Sequence, residues 1–171
     1  MEDTDQAEKK AERLGLEVQR SVAELTRLRG RSKKTVSLLI LHPFLPATEI
    51  TAVMSIRPSS TLARGEAIAP GFEPEQRLKA DRTHWTLKTG KYVKHDLLEA
   101  HIEWILQILE GRTPTLRQWL AEGAHLQIRV HERSFLRLNA WRLDAHLLAR
   151  LAHLGVGLDI LCHYQNTESE Y

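Results

Sequence analysis

Cysteine is almost absent from this chain, because Cys162 is the single cysteine among 171 residues. An internal disulfide and a cysteine-based zinc site are therefore excluded. Since Cys162 falls in an alternating apolar strand pattern, the sequence predicts a buried, inert thiol. No apolar run approaches the roughly 18 residues that span a bilayer, and residues 1–15 lack the apolar core of a signal peptide. These absences predict a cytoplasmic protein without a membrane partner.

Charge of one sign is also scarce, with 24 basic and 22 acidic residues giving a net charge of +2. No overall field draws the chain to nucleic acid, and the basic residues are dispersed among acids, so no nucleic-acid partner is expected. Walker, dinucleotide, H-E-x-x-H and G-x-S-x-G motifs are all missing. The nine histidines lack chelating spacing, since His95 and His101, six residues apart, face different sides of a helix. We therefore expect no enzyme activity, no cofactor and no metal.

The N-terminal region carries an apolar stripe between Ala7 and Leu28, with steps of alternating four and three residues. This spacing predicts an amphipathic helix over residues 5–29, followed by a basic linker, so that residues 1–34 form a unit outside the main domain. An isolated helix of this length needs a cover for its apolar stripe. The stripe either packs on its own domain, or contacts a partner, for example in a homodimer through residues 7–28, or the segment is a frayed, charged tail.

Residues 35–165 alternate between strand and helix patterns, and residues 166–171 form a polar tail. Predicted strands are 36–42, 83–89, 124–131, 134–141 and 156–163, with a tight turn at Glu132-Arg133 in a hairpin. Predicted helices are 47–55, 97–110, 115–122 and 145–154, with Asp96 and Asp144 as N-caps. Residues 57–82 read as a long loop, which in a compact domain is usually functional or mobile. The pattern predicts an α+β fold: a largely antiparallel, about five-stranded sheet with helices packed on one face, plus the N-terminal helix.

Four pieces in order give the region from about Val36 to Tyr164 a resemblance to a known family. They are PATEITAVMSIRP after the first strand, Arg64-Gly65, Trp85 followed by LLEAHIEWILQIL, and LLARLAHLG joined to VGLDILCHY. Together they resemble the bacterial family of domain of unknown function DUF4279. The resemblance implies a compact bacterial α+β domain. Because some relatives are associated with toxins as their immunity proteins, the resemblance also implies an immunity role. It supplies no catalytic residues.

The sheet face opposite the core is the first candidate site. Strand alternation assigns a polar and aromatic set to that face. The set comprises His125, Gln127, Arg129, His131, Arg137, Asn139, Trp141, Asp159 and His163. Tryptophan and arginine are the side chains that most often anchor protein interfaces. We therefore expect a protein-binding module. One form of this function is an immunity-type protein that neutralises a partner by occlusion.

The second candidate site is the 57–82 loop together with His101, and it belongs to a different functional class. The loop offers groups suited to a phosphate, and His101 lies on the apolar stripe of its helix. The residues of this alternative are Arg57, Ser59, Ser60, Arg64 and His101. A half-buried His101 bonded to a loop is the structural interpretation, whereas a ligand contact is the functional one. The alternative function is a small-molecule or phosphate-binding domain, or a weak enzyme.

Overall fold

The computed structural model describes residues 33–68, 78–134 and 143–164. Most of them belong to one compact unit, Lys34–His131 with Trp141–Leu161. Residues 33, 132–134 and 162–164 are the described part of a second unit. The predicted N-terminal helix, the predicted strand 134–141 after its first residue, and the polar tail lie outside the described residues.

A five-stranded sheet forms the centre of the fold, in the order β2-β3-β1-β4-β5. The strands are β1 (Lys33–His42), β2 (Ser60–Leu62), β3 (Thr83–Lys88), β4 (His125–Ser134) and β5 (Val156–Tyr164). β3 pairs antiparallel with both β1 and β2, with Ile40 opposite Trp85 in the β1–β3 register. β1 is central and contributes the buried run Val36–Ile40, apolar except for Ser37, whose side chains lie on both faces of the sheet.

The sheet is mixed, which corrects the expectation of a largely antiparallel one. β5 runs beside β4 with the residue numbers rising in the same direction on both strands. A Cβ atom on Gly157 would lie 3.7 Å from the carbonyl oxygen of Leu126, and Asp159 faces Arg129 further along. Neighbouring strands that are joined through a helix, as β4 and β5 are, typically run parallel.

Four helices pack into one core with the sheet. They are α1 (Ala47–Met54), α2 (Leu98–Glu110), α3 (Thr113–Ala121) and α4 (Ala145–His153). Every helix contributes buried apolar side chains to the same cluster as Leu38, Ile40 and Trp85. Trp85 is fully buried, and its indole N–H donates to the hydroxyl of Thr51 at 3.0 Å, which ties β3 to α1. The core therefore lies between the sheet and the helices.

The two predicted N-caps have different outcomes. Asp144 caps α4, since its carboxylate accepts the backbone N–H of His146 at 2.7 Å. Asp96 does not cap α2, because the N-cap residue is Leu97 and no side chain caps this end. The carbonyl oxygen of Asp96 instead accepts the Lys34 ammonium at 2.9 Å.

Three local predictions are wrong. β4 continues through Glu132 and Arg133, where a turn was expected; this pair lacks the Asn or Gly that a tight hairpin turn requires. The 57–82 loop contains β2, and Ala67 bridges Lys79 beyond it. Cys162 is exposed, whereas a buried thiol was expected. It lies near the end of β5, which is the last strand in the sheet order, so the alternation of the strand does not bury it.

Candidate functional site

We call the sheet face opposite the helices the outer face. On β4, strict alternation decides which side chains lie on it. Leu126, Ile128 and Val130 are buried in the core. The residues between them, Gln127 and Arg129, therefore point to the outer face, where both are half-buried. This placement follows directly from the two-residue period of a strand.

Gln127, Arg129 and Asp159 form a polar group on the outer face, which we call the Arg129 cluster. The Nη2 of Arg129 donates to the Oε1 of Gln127 at 3.3 Å. The Nε of Arg129 lies 3.7 Å from the Oδ2 of Asp159 on the adjacent strand β5. The side chains of Arg129 and Asp159 keep 38% and 36% exposure, so solvent still reaches the pair.

The Arg129 Nε has an unusual environment within this cluster. It is buried and has no hydrogen-bond acceptor among the described residues. Asp159 supplies opposite charge at 3.7 Å, which is an ion pair by distance but not a hydrogen bond. The backbone beneath is fixed, since the Ser37 hydroxyl donates to the Arg129 carbonyl oxygen at 3.4 Å. The guanidinium is therefore held in place while its bonding capacity is incompletely used.

The other predicted outer-face residues are placed less closely together. His125 is exposed at the start of β4, His131 is half-buried, and His163 is exposed near the end of β5. Arg137, Asn139 and Trp141 lie outside the described residues. The structure thus brings together Gln127, Arg129 and Asp159 from the predicted set.

The loop residues of the second candidate site do not converge. Arg57 is exposed, and Ser60 pairs with Thr86 in the sheet. Arg64 donates through Nη1 to the carbonyl oxygen of Pro43 at 3.1 Å. Ser59 differs, because its hydroxyl oxygen accepts the Lys88 backbone N–H at 2.9 Å and it lines a cavity with His101.

That cavity, which we call the His101 cavity, has a volume of about 330 Å³. Its lining combines the start of β1, the end of β3 and one face of α2. The residues are Lys34, Thr35, Val36, Ser59, Lys88, Gly90, Lys91 and His101. His101 is 7% exposed and is bonded on both ring nitrogens. The prediction of a histidine bonded to a loop is therefore confirmed, with more burial than expected.

A family model described as domain of unknown function DUF4279 matches residues 32–165. The chain belongs to the DUF4279 family. The match spans all five strands and four helices, so both the outer face and the His101 cavity lie within the family domain. No curated protein and no solved structure matches the chain.

Sequence reasoning missed the three lysines of the His101 cavity in this DUF4279 domain. Lys34 lies in the predicted basic linker and Lys88 in the predicted strand 83–89, and neither pattern points to a cavity; Lys91 belongs to no predicted site. The available signal was the pair of lysines flanking Gly90 in the sequence KTGK. Their approach to Lys34 depends on the pairing of β1 with β3, which a sequence pattern alone does not supply.

Within the described residues, no three or more histidine, cysteine or acidic side chains are grouped to hold a metal ion. Among the described helices, none has the length and apolarity to cross a bilayer.

Proposed function

We propose that this DUF4279 domain is a protein-binding module that recognises an acidic surface of a partner through its outer face. In the immunity-type form of the proposal, it neutralises the partner by covering the partner's own site. The observation that supports the proposal is the guanidinium of Arg129, which is positioned by Gln127 and Asp159 at 3.3 and 3.7 Å.

Pre-positioning gives Arg129 an advantage as an interface anchor. An arginine that is free in solution loses rotamer entropy of about 0.5–1.5 kcal/mol when a complex immobilises it. Here contacts within the domain already restrict the side chain, so less entropy is lost when a partner binds. The remaining guanidinium donors suit the planar, two-oxygen geometry of a carboxylate. Arginine and aromatic anchors of this kind carry a large share of binding energy at interfaces.

The guanidinium of Arg129 is the group that would attract an acidic partner. His125 and His131 lie on the same face of β4 as Arg129. Asp159 is the opposing charge in the cluster. Charges at the rim steer association, whereas a pair desolvated at the centre affects dissociation. We place this activity in a bacterial cytoplasm, a setting that the scarcity of cysteine supports.

The test is affinity capture with charge-matched variants. Full-length protein, residues 35–171, Arg129→Glu and Arg57→Glu are used as baits under one set of conditions. Arg57 is exposed and lies outside the Arg129 cluster, so its substitution controls for the change of net charge. We expect one stoichiometric protein with wild type, residues 35–171 and Arg57→Glu, and its loss with folded Arg129→Glu. Equal capture by folded Arg129→Glu would remove the outer face from the proposal.

The contribution of the N-terminal helix is separable in the same experiment. Capture by the full-length bait but not by residues 35–171 would assign recognition to residues 7–28. A homodimer through those residues predicts that removing residues 1–34 halves the mass in solution. A monomeric full-length protein would exclude that homodimer.

A second candidate function is the binding of a small molecule or phosphate, with weak enzyme activity as its extension. The observation that favours it is the cavity that Ser59 and His101 share. Ligands that bind only the native state raise its melting temperature. A panel of metabolites and metals should therefore contain a compound that raises the Tm, and a panel without any such compound would count against this function.

A further inference from the structure

The turn of residues 43–46 joins β1 to α1 and has only two backbone N–H donors, because two of its four residues are prolines. The two donors belong to Phe44 and Leu45. Both donate to one atom, the Nδ1 of His42, at 3.2 and 3.0 Å. We call this arrangement the His42 turn. A single ring nitrogen therefore accepts every backbone N–H of the turn.

The bonds to Phe44 and Leu45 determine the charge state of the His42 ring. A backbone N–H only donates, so the Nδ1 that faces two of them carries no hydrogen. The ring is therefore neutral, with its hydrogen on Nε2. A second proton must go to Nδ1, and a protonated Nδ1 cannot accept a hydrogen bond. Protonation of His42 would thus break both bonds of the turn at once.

The His42 ring is buried, and one carboxylate lies beside it. The Oε2 of Glu122, which follows α3, is 3.4 Å from the Nε2 of His42. This Nε2 has no aligned hydrogen-bond partner among the described residues. Arg82 precedes β3 and donates to the carbonyl oxygen of Gly123 at 2.9 Å, and its own nearest acid is Asp81 at 3.7 Å. The charge that acts directly on the ring is therefore that of Glu122.

The direction of the pH response follows from this environment. Burial lowers the pKa of His42 below 6.5, and the charge of Glu122 opposes the shift. On β3 the residue opposite His42 is the uncharged Thr83, and the alternation of the strand places His84 on the other face of the sheet. A histidine with a lowered pKa stays neutral above pH 6.5 and gains its proton as the pH falls below that value. The bonds of the turn are therefore complete at neutral pH and lost in acid.

The rest of the turn is bound to its surroundings by few other contacts. Phe44 is 71% exposed, and Leu45 is half-buried against the core. Arg64 donates to the carbonyl oxygen of Pro43 at 3.1 Å, near the surface. The first backbone bonds of α1 end on the carbonyl oxygen of Pro46 and do not involve the ring. A segment with few buried contacts opens locally at lower cost than the core.

We propose that the His42 turn is a pH-sensitive conformational device, in which protonation of His42 releases residues 43–45 while the sheet and α1 stay folded. One proton removes both N–H bonds of the turn, and the positive charge on Nδ1 then repels the two N–H dipoles. This inference does not rest on the partner or on the ligand of the two functions proposed above.

The first test follows the full chain by NMR between about pH 7.5 and pH 5, with the ring signals of His42 and the hydrogen-exchange protection of backbone amides as readouts. We expect the protection of Phe44 and Leu45, corrected for the intrinsic exchange rate, to fall about tenfold or more as the ring gains its proton. Amides of the β1–β3 ladder should keep their protection. Unchanged protection of the turn after His42 is protonated would overturn the proposal, as would loss of protection throughout the domain at the same pH.

The second test uses Glu122→Gln to shift the transition. The carboxylate of Glu122 raises the pKa of His42, so its removal should move the release of the turn to lower pH. The side chain of Glu122 is 37% exposed, so the fold should tolerate the change. His84→Gln is the matched control, because His84 is a half-buried histidine on β3, and it should leave the midpoint unchanged. A midpoint that responds to His84→Gln and not to Glu122→Gln would overturn the role of His42.

The third test removes the titration and keeps an acceptor. In His42→Asn, the side-chain carbonyl oxygen can accept the N–H groups of Phe44 and Leu45 at every pH. The turn should then stay protected in acid. Acid release that persists in folded His42→Asn would overturn the proposal, and if this variant does not fold, the midpoint of Glu122→Gln decides.

Discussion

His42 gives the sharpest stability prediction, because its buried ring acts as an acceptor for the backbone. It is fully buried at the end of β1, and its Nδ1 accepts the N–H groups of Phe44 at 3.2 Å and Leu45 at 3.0 Å. Trp119 packs edge-on at 5.7 Å between ring centroids. The Nε2 lies 3.4 Å from the Oε2 of Glu122 without hydrogen-bond alignment. The structure thus requires a neutral ring with its hydrogen on Nε2.

The perturbation is His42→Phe, which keeps an aromatic ring beside Trp119 but removes the acceptor. Two partly buried backbone N–H groups, those of Phe44 and Leu45, then lose their partner. An unsatisfied buried donor costs about 1–3 kcal/mol. Because both groups lie near the surface, we expect a total loss of about 2–4 kcal/mol in the free energy of unfolding at pH 7.5. Urea unfolding followed by tryptophan fluorescence measures this loss.

The pH dependence of His42 adds an independent check. Burial lowers the pKa of His42 below 6.5, against the opposing charge of Glu122. A lowered histidine pKa means that its contribution is complete above 6.5 and is lost as the pH falls below that value. The wild type should lose at most about 1.4 kcal/mol per pH unit from this group, and His42→Phe should lack this component. The gap between the two proteins should therefore narrow in acid.

The control is His84→Phe, on half-buried His84 of β3, which should retain the wild-type acid response. A His42→Phe protein as stable as wild type at pH 7.5 would refute the acceptor role. A gap that stays constant from pH 7.5 to pH 5.5 would refute the assigned protonation state.

Two further predictions concern the helix ends and an ion-pair network. Gly155→Ala should lower the free energy of unfolding by about 1–2 kcal/mol or more, since Gly155 has φ +66° and a Cβ would lie 2.7 Å from Leu120 Cδ1. The control is Gly111→Ala, at φ −65° with open space around the Cβ position. In thermal melts of both variants, it should stay within about 1 kcal/mol of wild type. Arg150 donates to Glu110 and Glu103, and these hydrogen bonds lower the pKa of both carboxyls. Arg150→Gln should raise the pKa values of Glu103 and Glu110 in a carboxyl NMR titration. The ion pairs stabilise wild type above pH 4.5 and lose their effect in acid, so the variant should be less stable than wild type above pH 4.5 only. Unchanged carboxyl titrations would contradict the network.

Much of the fold follows from local patterns, and the parts that do not follow have identifiable causes. The alternation on β4 predicted that Leu126, Ile128 and Val130 face the core, and they are buried. β2 was missed because Ser60–Leu62 is three residues long and largely exposed, so it has no apolar period. The exposure of Cys162 depends on the position of β5 at the end of the sheet, which its own alternation does not encode.

The candidate sites show the same division between local and long-range information. Period two assigned Gln127 and Arg129 to one face, but their approach to Asp159 requires β4 and β5 to be neighbours. The apolar stripe of α2 predicted a partly buried His101, whereas its partners Thr89 and His95 come from a turn and a loop. The lysine lining of the His101 cavity needs the β1–β3 pairing. Side chains that meet across strands are therefore the part that sequence reasoning could not supply.

The role of Arg129 is the central claim, and the most direct test is the affinity of the captured partner, purified and titrated against wild type, Arg129→Glu and Arg57→Glu. The Arg129 cluster predicts at least about a tenfold loss for Arg129→Glu, mainly through faster dissociation, because its charge is held in place by Gln127 and Asp159. Arg57→Glu should bind as wild type does. Equal affinities for all three folded proteins would contradict recognition through the outer face.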